Sequence, residues 1–232
     1  MIKLRQVSRW YSGSTKDRPR VLDQLDLELR KGEFLYVIGG TGAGKTTLLR
    51  MLGTEELPSS GSVSLFGYDL SAVSSSTLRT IRQSISLIPQ KVQLIPDLTV
   101  FENVSLAAKS AGSRGSGRDS RTRIFELLER LGVASMRDRP AAELSGGEAQ
   151  RVAIAQALAR KPELILADEP TGAQDPDSAW GILDLLLREN LGGTTVMVAT
   201  HDRDMVRRVR KNTAILKNGR MQLHAGEAPC RF

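Results

Sequence analysis

The segment GGTGAGKTT, residues 39–47, constrains the fold of this chain more than any other stretch. It matches the pattern G-x-x-x-x-G-K-[ST], in which glycines let successive backbone N–H groups face a phosphate. The continuous apolar run GEFLYVI precedes it, and TTLLRML follows it with the pattern of a helix. A buried strand, a glycine loop and a helix in this order predict a phosphate-binding loop in an α/β protein.

The loop supplies the first group of candidate binding residues. Lys45 is expected to reach the β- and γ-phosphates of a nucleotide, and the Thr46 hydroxyl to bind Mg²⁺. The helix start adds free N–H groups and the positive end of its dipole. The residues expected to hold the phosphates are Gly39, Gly40, Thr41, Gly42, Ala43, Gly44, Lys45, Thr46 and Thr47.

A second apolar strand, ELILADEP, ends in the adjacent acids Asp168 and Glu169. Two acids at a strand end are usually just solvated, but a phosphate loop in the same chain favours a catalytic role. Asp168 is expected to hold Mg²⁺ through water, and Glu169 to polarise the attacking water as general base. The sequence therefore predicts that the nucleotide is hydrolysed as well as bound.

The remaining segments predict how this core is extended. Apolar strands alternate with helices, which indicates a mostly parallel α/β core. MIKLRQVSRWY and VLDQLDLEL alternate apolar and polar residues, which indicates an added antiparallel sheet near the N-terminus. Residues from about 91 to 160 have a mostly helical pattern, interrupted at 110–118 by a Gly/Ser/Arg-rich stretch that predicts a loop. TAILKNGRMQL predicts a closing hairpin, and His224 just beyond it is expected to be exposed.

Composition limits the compartment and the classes of partner. The one cysteine, Cys230, excludes a disulfide framework within the chain and suits a reducing cytosol. No apolar run approaches the roughly 18–20 residues that span a bilayer, and the first residues lack a signal-peptide pattern, so we expect neither a membrane span nor export. The formal charge of +7 gathers partly in residues 110–123 and 203–212. Contact with the anionic cytoplasmic leaflet and an ordinary solvated surface both fit this charge, whereas an aromatic content of 4% does not favour specific nucleic-acid binding.

A second helix start with the character of an anion site occurs about a hundred residues after the first. Ser145 and Glu148 form the capping-box pattern S-x-x-E, with Gly146 and Gly147 between them. The free N–H groups and the dipole of such a helix start bind anions. A second anion site in one chain requires a second phosphate for it to bind.

These segments together resemble the ATP-binding-cassette ATPases over nearly the whole chain. Six motifs occur in the order of that family, and the match is therefore specific. The resemblance implies a single nucleotide-binding domain over residues 1–232, with a P-loop NTPase core of the RecA type, an N-terminal antiparallel β-subdomain and an inserted α-helical subdomain at about 91–160. The resembling segments beyond the phosphate loop are LSGGEAQR (signature), LILADEP (Walker B), SLIPQ with Gln90 (Q-loop), TGAQD with Asp175 (D-loop) and ATHD with His201 (switch).

The resemblance also implies a shared ATP site and roles for further residues. Two subunits pack head to tail, and each ATP lies between the Lys45 loop of one and the Ser145 segment of the other. Gln90 would bind Mg²⁺ and the attacking water and couple them to the helical subdomain. His201 would contact the γ-phosphate or that water, although a histidine at a strand end is more often structural. The further ATP contacts implied are Tyr11, which stacks on adenine, and Ser145, Gly146, Gly147, Glu148 and Asp175.

Within the family, the chain resembles the cell-division group typified by FtsE, on KGEFLYVIGGTGAGKTTLLRML, PDLTVFENVSLA and the aromatic pair Phe34 and Tyr36. That group implies a separate FtsX-like membrane protein, whose coupling helix enters a groove near Gln90. It also implies a position on the cytoplasmic face of the bacterial inner membrane and a signal that activates peptidoglycan hydrolysis. Lipoprotein-release cassettes of the LolD type and macrolide-export cassettes share ADEPTG and ATHD, and remain alternatives.

Some features depart from the family pattern or leave alternatives open. Gly40 stands where relatives often carry proline, and Ala149 where glutamine is usual; Pro89 and Gln174 also differ.

Alternation along the first strand does not decide whether Trp10 or Tyr11 faces adenine. A DNA-maintenance ATPase would carry the same kind of signature segment. That class also needs a long coiled coil between the phosphate loop and the signature, and the sequence has no heptads in that interval. A nucleotide-binding scaffold without hydrolysis is disfavoured by the intact Glu169 and His201.

Overall fold

The computed structural model describes residues 1–11, 20–110, 117–172 and 176–224 of the chain. In these residues the chain forms ten strands and seven α-helices. The strands are β1 (Ile2–Trp10), β2 (Arg20–Leu29), β3 (Phe34–Ile38), β4 (Ser60–Leu65), β5 (Tyr68–Asp69), β6 (Ile85–Ile88), β7 (Leu164–Asp168), β8 (Thr195–Thr200), β9 (Asn212–Lys217) and β10 (Arg220–His224). The helices are α1 (Lys45–Leu52), α2 (Ser75–Gln83), α3 (Val100–Ser110), α4 (Gly117–Arg130), α5 (Gly146–Ala159), α6 (Pro176–Leu191) and α7 (Arg203–Arg208).

The central sheet carries its strands in the order β10-β9-β3-β8-β7-β6. The strands from β9 to β6 run parallel, and β10 returns antiparallel to β9 as the predicted closing hairpin. Every residue of β3, β7 and β8 is buried. Since both faces of these strands are covered, their sequences are continuous apolar runs without alternation. The predicted mostly parallel core is confirmed.

An antiparallel sheet of four strands, in the order β2-β1-β4-β5, covers one side of the central sheet. In β1, Leu4 lies between Leu27 of β2 and Val63 of β4. These side chains are buried, while their neighbours along the strand are exposed in β1 and β2 and half-buried in β4, which accounts for the alternation in the sequence. The predicted N-terminal antiparallel sheet is therefore confirmed as well.

Helix α1 packs in the hydrophobic cluster between the two sheets. Its four buried apolar residues, Leu48, Leu49, Met51 and Leu52, lie in one cluster with the β1 and β2 side chains and with alternate residues of β3. The helix ends at Leu52, and Gly53 caps it. The strand before the phosphate loop and the helix after it are thus both held by the core, so the loop between them is fixed at each end.

The opposite face of the central sheet is covered by helices. Phe34, Tyr36 and Ile38 of β3 pack in one cluster with apolar residues of α3, α4, α5, α6 and α7. Helix α5 has an exposed start at Gly146 and a buried second half. This places the glycine-containing start of α5 at the surface and anchors its far end in the core.

Two local expectations differ from the structure. Helix α4 begins at Gly117, before the apolar pattern that starts at Ile124, because its first turns are polar and give no periodic signal. Only residues 111–116 of the predicted loop remain between α3 and α4, and they lie outside the described residues. His224 is half-buried and not exposed, because its strand partner in the register, Thr213, is fully buried.

The described part of the chain contains no helix that is both long and apolar enough to cross a bilayer. The longest, α6, has 16 residues, whereas a transmembrane helix needs about 20 apolar residues.

Tyr36 is the largest side chain that is fully buried in the core. Its ring meets the edge of Phe34, with 4.9 Å between the ring centroids. Its hydroxyl is buried without a hydrogen-bond partner among the described residues. Burial, with a smaller contribution from the negative charge of Asp202, raises the pKa of Tyr36 well above its ordinary value. An unpaired buried hydroxyl costs about 1–3 kcal/mol, so Tyr36 weakens the core beneath the phosphate loop.

Tyr36→Phe is therefore expected to raise the free energy of unfolding by about 1 kcal/mol, because it removes the unpaired hydroxyl and keeps the ring contact with Phe34. The melting temperature should rise by about 2–4 °C for a domain of this size. Urea and thermal denaturation measure both changes. The control Tyr68→Phe, at a side chain that is 52% exposed, should change neither, and a less stable Tyr36→Phe protein would contradict the assignment.

Candidate nucleotide-binding and catalytic site

The phosphate loop, residues 39–44, joins β3 to α1 and depends on two of its glycines. Gly44 precedes α1 with a φ of 103°, and a Cβ there would lie 2.8 Å from the Val21 carbonyl oxygen. A Cβ at Gly39 would clash with the Leu216 carbonyl oxygen. At Gly40, by contrast, a Cβ would meet no atom within 4 Å. Packing around a Cβ therefore does not require a glycine at position 40.

Lys45, the first residue of α1, follows the loop directly and is buried. Its Nζ donates to the Gly39 carbonyl oxygen over 2.8 Å and lies 3.4 Å from Glu169 Oε1. The side chains of Lys45 and Glu169 are only 9% and 10% exposed. The structure thus brings the predicted phosphate-binding lysine into contact with the predicted general base.

Thr46 and Asp168 form a second contact between the loop and the end of β7. The Thr46 hydroxyl donates to Asp168 Oδ2 over 2.6 Å. A hydroxyl and a carboxylate oxygen are ligands that Mg²⁺ accepts, typically beside water and substrate phosphates. The residues present therefore fit a magnesium ion bound together with a nucleotide.

The electrostatics of Asp168 agree with a cation site. Burial raises the pKa of Asp168; the hydrogen bond from Thr46 opposes this shift, and the negative charge of Glu169 adds to it. A carboxylate that is buried beside a second carboxylate is costly unless a positive charge offsets it. Lys45 supplies part of that charge, and a divalent ion would supply more.

Glu169 is held by Thr200, the last residue of β8, and by His201, which follows it. It accepts from the Thr200 hydroxyl at 3.1 Å and from the His201 backbone N–H at 3.3 Å, and its Oε1 lies 2.9 Å from His201 Nδ1. The His201 side chain is 76% exposed, so the ring is fixed at one nitrogen and accessible over most of its surface. Glu169 also has a φ of 48°, in the left-handed region that non-glycine residues seldom adopt.

A groove of about 610 Å³ runs beside the loop. This volume is within the range of small-molecule sites in proteins. Its lining combines the loop, the switch histidine and the β9–β10 turn, namely Gly39, Gly40, Thr41, Gly42, Ala43, His201 and residues 215–219, together with Arg20, Val21 and Ile38.

The start of α5 has the capping box that the sequence predicts. The Ser145 side chain accepts from the Glu148 backbone N–H, and the Glu148 side chain accepts from the Ser145 backbone N–H at 2.8 Å. These backbone and hydroxyl hydrogen bonds lower the pKa of Glu148. A Cβ at Gly146 would meet no atom within 4 Å, so packing within this chain does not require a glycine there. The space in front of the helix is open to a group from outside the chain.

Gln90 lies two residues beyond β6 and lines a second groove, of about 440 Å³. The lining is mostly apolar and includes the first turn of α5: Val92, Leu94, Pro96, Ala141, Ala142, Gly146, Ala149 and Gln150. No residue is common to this groove and the one beside the phosphate loop. Within the described chain, the two candidate anion sites therefore line separate grooves.

The side chain of Tyr11 lies at the start of α1. Its hydroxyl lies 3.4 Å from Thr47 Oγ1, and the residue is 43% exposed. The Trp10 backbone pairs with the Ser59 hydroxyl. Tyr11 therefore contacts the helix that follows the phosphate loop. Asp175, with its neighbour Gln174, lies outside the described residues.

Two relevant contacts were not predicted from the sequence. Thr200, which binds Glu169, stands directly before His201 at the end of an apolar strand. That position could have indicated from the sequence that Thr200 belongs to the site. Gln150 is buried, and its Nε2 donates to the Pro170 carbonyl oxygen over 3.4 Å. This bond joins the helix of the candidate second anion site to the residue after Glu169, and nothing in the sequence indicates it.

Comparison with known proteins identifies the class of this site. Residues 22–172 match the family model described as ABC transporter. The chain is 37% identical over 222 residues to the cell division ATP-binding protein FtsE of Streptococcus pneumoniae strain D39, and 40% identical to FtsE of Mycobacterium tuberculosis H37Rv; each match covers 95% of this chain and 94% of the relative. It is 39% identical to the methionine import ATP-binding protein MetN 1 of Oceanobacillus iheyensis, covering 95% of this chain and 65% of that protein.

A solved structure supports the same conclusion. The dimeric, post-hydrolysis state of the ATP-binding cassette MJ0796 bound to ADP and Pi superimposes with a TM-score of 0.88 and 33% identity, over 98% of this chain and 100% of that chain. The chain belongs to the ABC transporter family and is an ABC-type ATPase. Its sequence is similar to that of FtsE proteins over most of its length.

Asp168→Asn is expected to stabilise the metal-free fold and to abolish turnover. The pKa of Asp168 is raised in the folded state, so ionisation costs stability as the pH rises past the unfolded pKa, and at neutral pH the amide removes that cost. ATP hydrolysis should fall by about a hundredfold or more, because the cation site loses its charge. Denaturation in EDTA without nucleotide, and a phosphate-release assay, measure the two effects.

The matched control for this change is Asp184→Asn, at an exposed carboxylate on α6 that pairs with Arg188. It should leave both stability and turnover nearly unchanged. A destabilised Asp168→Asn protein would show that the buried charge is already compensated within the chain, and would contradict the need for a bound cation.

Proposed function

We propose that this chain is the ATP-hydrolysing subunit of a membrane complex of the FtsE–FtsX kind, in which ATP joins two copies head to tail. The observation that carries the shared site is the capped, exposed start of α5 at Ser145 and Gly146, which lines a groove separate from that of its own phosphate loop. A helix start of this kind binds an anion. The γ-phosphate held by the loop of a second copy is an anion of suitable charge.

The chemistry of such a shared site follows from residues on both sides of it. Lys45 and the loop N–H groups bind the β- and γ-phosphates, and Tyr11 stacks on adenine. Thr46 and Asp168 would hold Mg²⁺, which supplies positive charge beside the phosphates when bound. Gln90 lines the other groove and would join them only by moving toward the phosphate loop. Glu169 accepts a proton from the attacking water as it adds to the γ-phosphorus, and the bond to the ADP oxygen breaks.

His201 and the partner's α5 start complete the proposed site. His201, held by Glu169 at one ring nitrogen, is placed to contact the γ-phosphate or the water. The N–H groups at Gly146 and Gly147 of the second copy bind the γ-phosphate from the opposite side, and Asp175 contributes at the dimer contact. Loss of that phosphate removes the anion that joins the copies, so hydrolysis opens the dimer.

The proposed docking site for the membrane partner is the part of the Gln90 groove formed by Val92, Leu94 and Pro96, which leaves Gly146 in the same groove to the γ-phosphate. Its apolar lining suits one face of a short amphipathic helix. The groove is formed by elements of residues 91–160, which we propose move as one helical subdomain. The Gln150 bond to the Pro170 carbonyl oxygen gives this motion a path to the backbone beside Glu169.

The cell-division role is supported by similarity to the FtsE proteins of several bacteria. Three of them are 34–40% identical to this chain over 219–222 residues. We therefore propose an FtsX-like integral membrane partner, a position on the cytoplasmic face of the bacterial inner membrane with lipid contact by basic residues, and a signal that activates peptidoglycan hydrolysis.

Glu169→Gln is expected to bind ATP with Mg²⁺ but to hydrolyse it at least about a hundredfold more slowly, because the amide cannot accept the proton. The protein should accumulate as an ATP-bound dimer, measured by size-exclusion chromatography with light scattering. The control Glu163→Gln, an exposed carboxylate near β7 that pairs with Lys31, should turn over normally. Wild-type turnover in Glu169→Gln would mean that another group is the base.

The same variant tests the biological role. Tagged Glu169→Gln protein is recovered from native membranes with ATP, and the co-purifying proteins are identified by mass spectrometry. Recovery of an FtsX-like protein supports the division role. Recovery of a methionine-import, lipoprotein-release or exporter permease contradicts that role and leaves the proposed chemistry standing.

A further inference from the structure

Tyr11 is held by two neighbouring side chains. The guanidinium carbon of Arg9 lies 4.7 Å from the centroid of the Tyr11 ring, over one face. The Tyr11 hydroxyl donates to Glu56 Oε2 over 2.7 Å. The residue nevertheless remains 43% exposed. The ring therefore has a cation against one face and accessible surface beyond it.

Glu56 joins the two side chains into one unit, which we call the base platform (Arg9, Tyr11 and Glu56). Glu56 Oε2 lies 3.2 Å from Arg9 Nε and 3.0 Å from Nη2, and Arg9 Nη1 donates to the Leu57 carbonyl oxygen at 3.1 Å. The side chains of Arg9 and Glu56 are only 23% and 17% exposed. Partly buried, charge-assisted bonds of this kind hold their geometry better than an exposed ion pair does.

The base platform is anchored on the helix that follows the phosphate loop. The Tyr11 hydroxyl lies 3.4 Å from Thr47 Oγ1, and Arg50 Nη1 lies 3.7 Å from Glu56 Oε1. Thr47 and Arg50 belong to successive turns of α1, whose first residue is Lys45. The Tyr11 ring is thus held at a fixed position relative to Lys45. A nucleotide needs this, because its base and its phosphates must be bound at the same time.

We propose that Arg9 and Glu56 are positioning residues for the nucleotide base, acting through Tyr11. The inference rests on the proposed role of Tyr11 as the adenine contact. The cation beneath the ring is attracted to its π-electrons, and a purine stacks on the accessible part of the ring. Because Arg9 and Glu56 order the ring before the base arrives, less conformational entropy is lost on binding.

The alternative is that Arg9 and Glu56 only tie the end of β1 to the segment after α1. A tie of that kind would affect every ligand of the phosphate loop through the stability of α1. A positioning role for the base affects only ligands that carry a base. The two roles therefore differ in what happens to a ligand that consists of phosphates alone.

The experiment compares two ligands of the intact protein by calorimetric titration in the presence of Mg²⁺. One is AMPPNP, a non-hydrolysable ATP analogue, and the other is inorganic tripolyphosphate, which has no base. Arg9→Met is expected to bind AMPPNP about three- to tenfold more weakly and tripolyphosphate as tightly as the wild type. Glu56→Gln should show the same split, so the test survives if Arg9→Met fails to fold. Arg188→Met, which removes an exposed ion pair on α6, is the matched control and should change neither affinity.

Equal weakening of both ligands, or an unchanged affinity for AMPPNP, overturns the positioning role. Tyr11→Ala separates that failure from failure of the proposed adenine contact. If Tyr11→Ala weakens AMPPNP binding about tenfold or more while Arg9→Met and Glu56→Gln do not, only the positioning role is wrong. If Tyr11→Ala leaves AMPPNP binding unchanged, the proposed adenine contact is wrong as well.

Discussion

The contact between Lys45 and Glu169 is the interaction on which the rest of the site depends. It joins the phosphate loop after β3 to the acid pair after β7, and both side chains are about nine-tenths buried. Charges so far from water are tolerated only when further hydrogen bonds satisfy them. The Gly39 carbonyl oxygen does so for Lys45, and Thr200 and His201 do so for Glu169. Segments that are distant in sequence are thereby held at one point.

The parallel register of the central sheet is what brings those segments together. Ile38, the last residue of β3, lies opposite Thr200 of β8, and Asp168 of β7 lies opposite Ala199. The loop, the acid pair and the switch histidine therefore leave the sheet at the same edge, where α/β proteins bind ligands. The start of α5 does not belong to this edge; it lines a different groove with Gln90. That separation is why the proposed ATP site needs two copies of the chain.

Much of this arrangement could be predicted from the sequence because local patterns specify it. The apolar strand before Gly39, the helix after Lys45 and the capping box at Ser145 each follow from residues within one short segment. Contacts between distant segments could not be predicted. Arg9 and Glu56 are 47 positions apart in the chain, and only the folded chain brings their side chains together. Gln150 lies within the signature segment LSGGEAQR, but its bond to Pro170 depends on how α5 packs beside the end of β7.

The sequence also left choices that only packing decides. Trp10 and Tyr11 are adjacent aromatic residues. Because the register of β1 against β2 is irregular, alternation along the strand does not show which face each side chain lies on. The polar first turns of α4 gave no periodic signal, so its start at Gly117 was missed. His224 carries no motif, and its partial burial follows from the register of the β9–β10 hairpin. Local patterns do not settle these points because they depend on contacts between distant segments.

The most direct measurement of the central claim mixes two inactive variants, Lys45→Ala and Ser145→Arg, and follows ATP hydrolysis as their ratio changes. Each variant alone spoils both sites of a head-to-tail dimer. A mixed dimer contains one site with the intact Lys45 of one copy and the intact Ser145 of the other. The account predicts that activity appears on mixing and is greatest near equal amounts. Activity that stays at the weighted sum of the two separate variants would contradict a site shared between two copies.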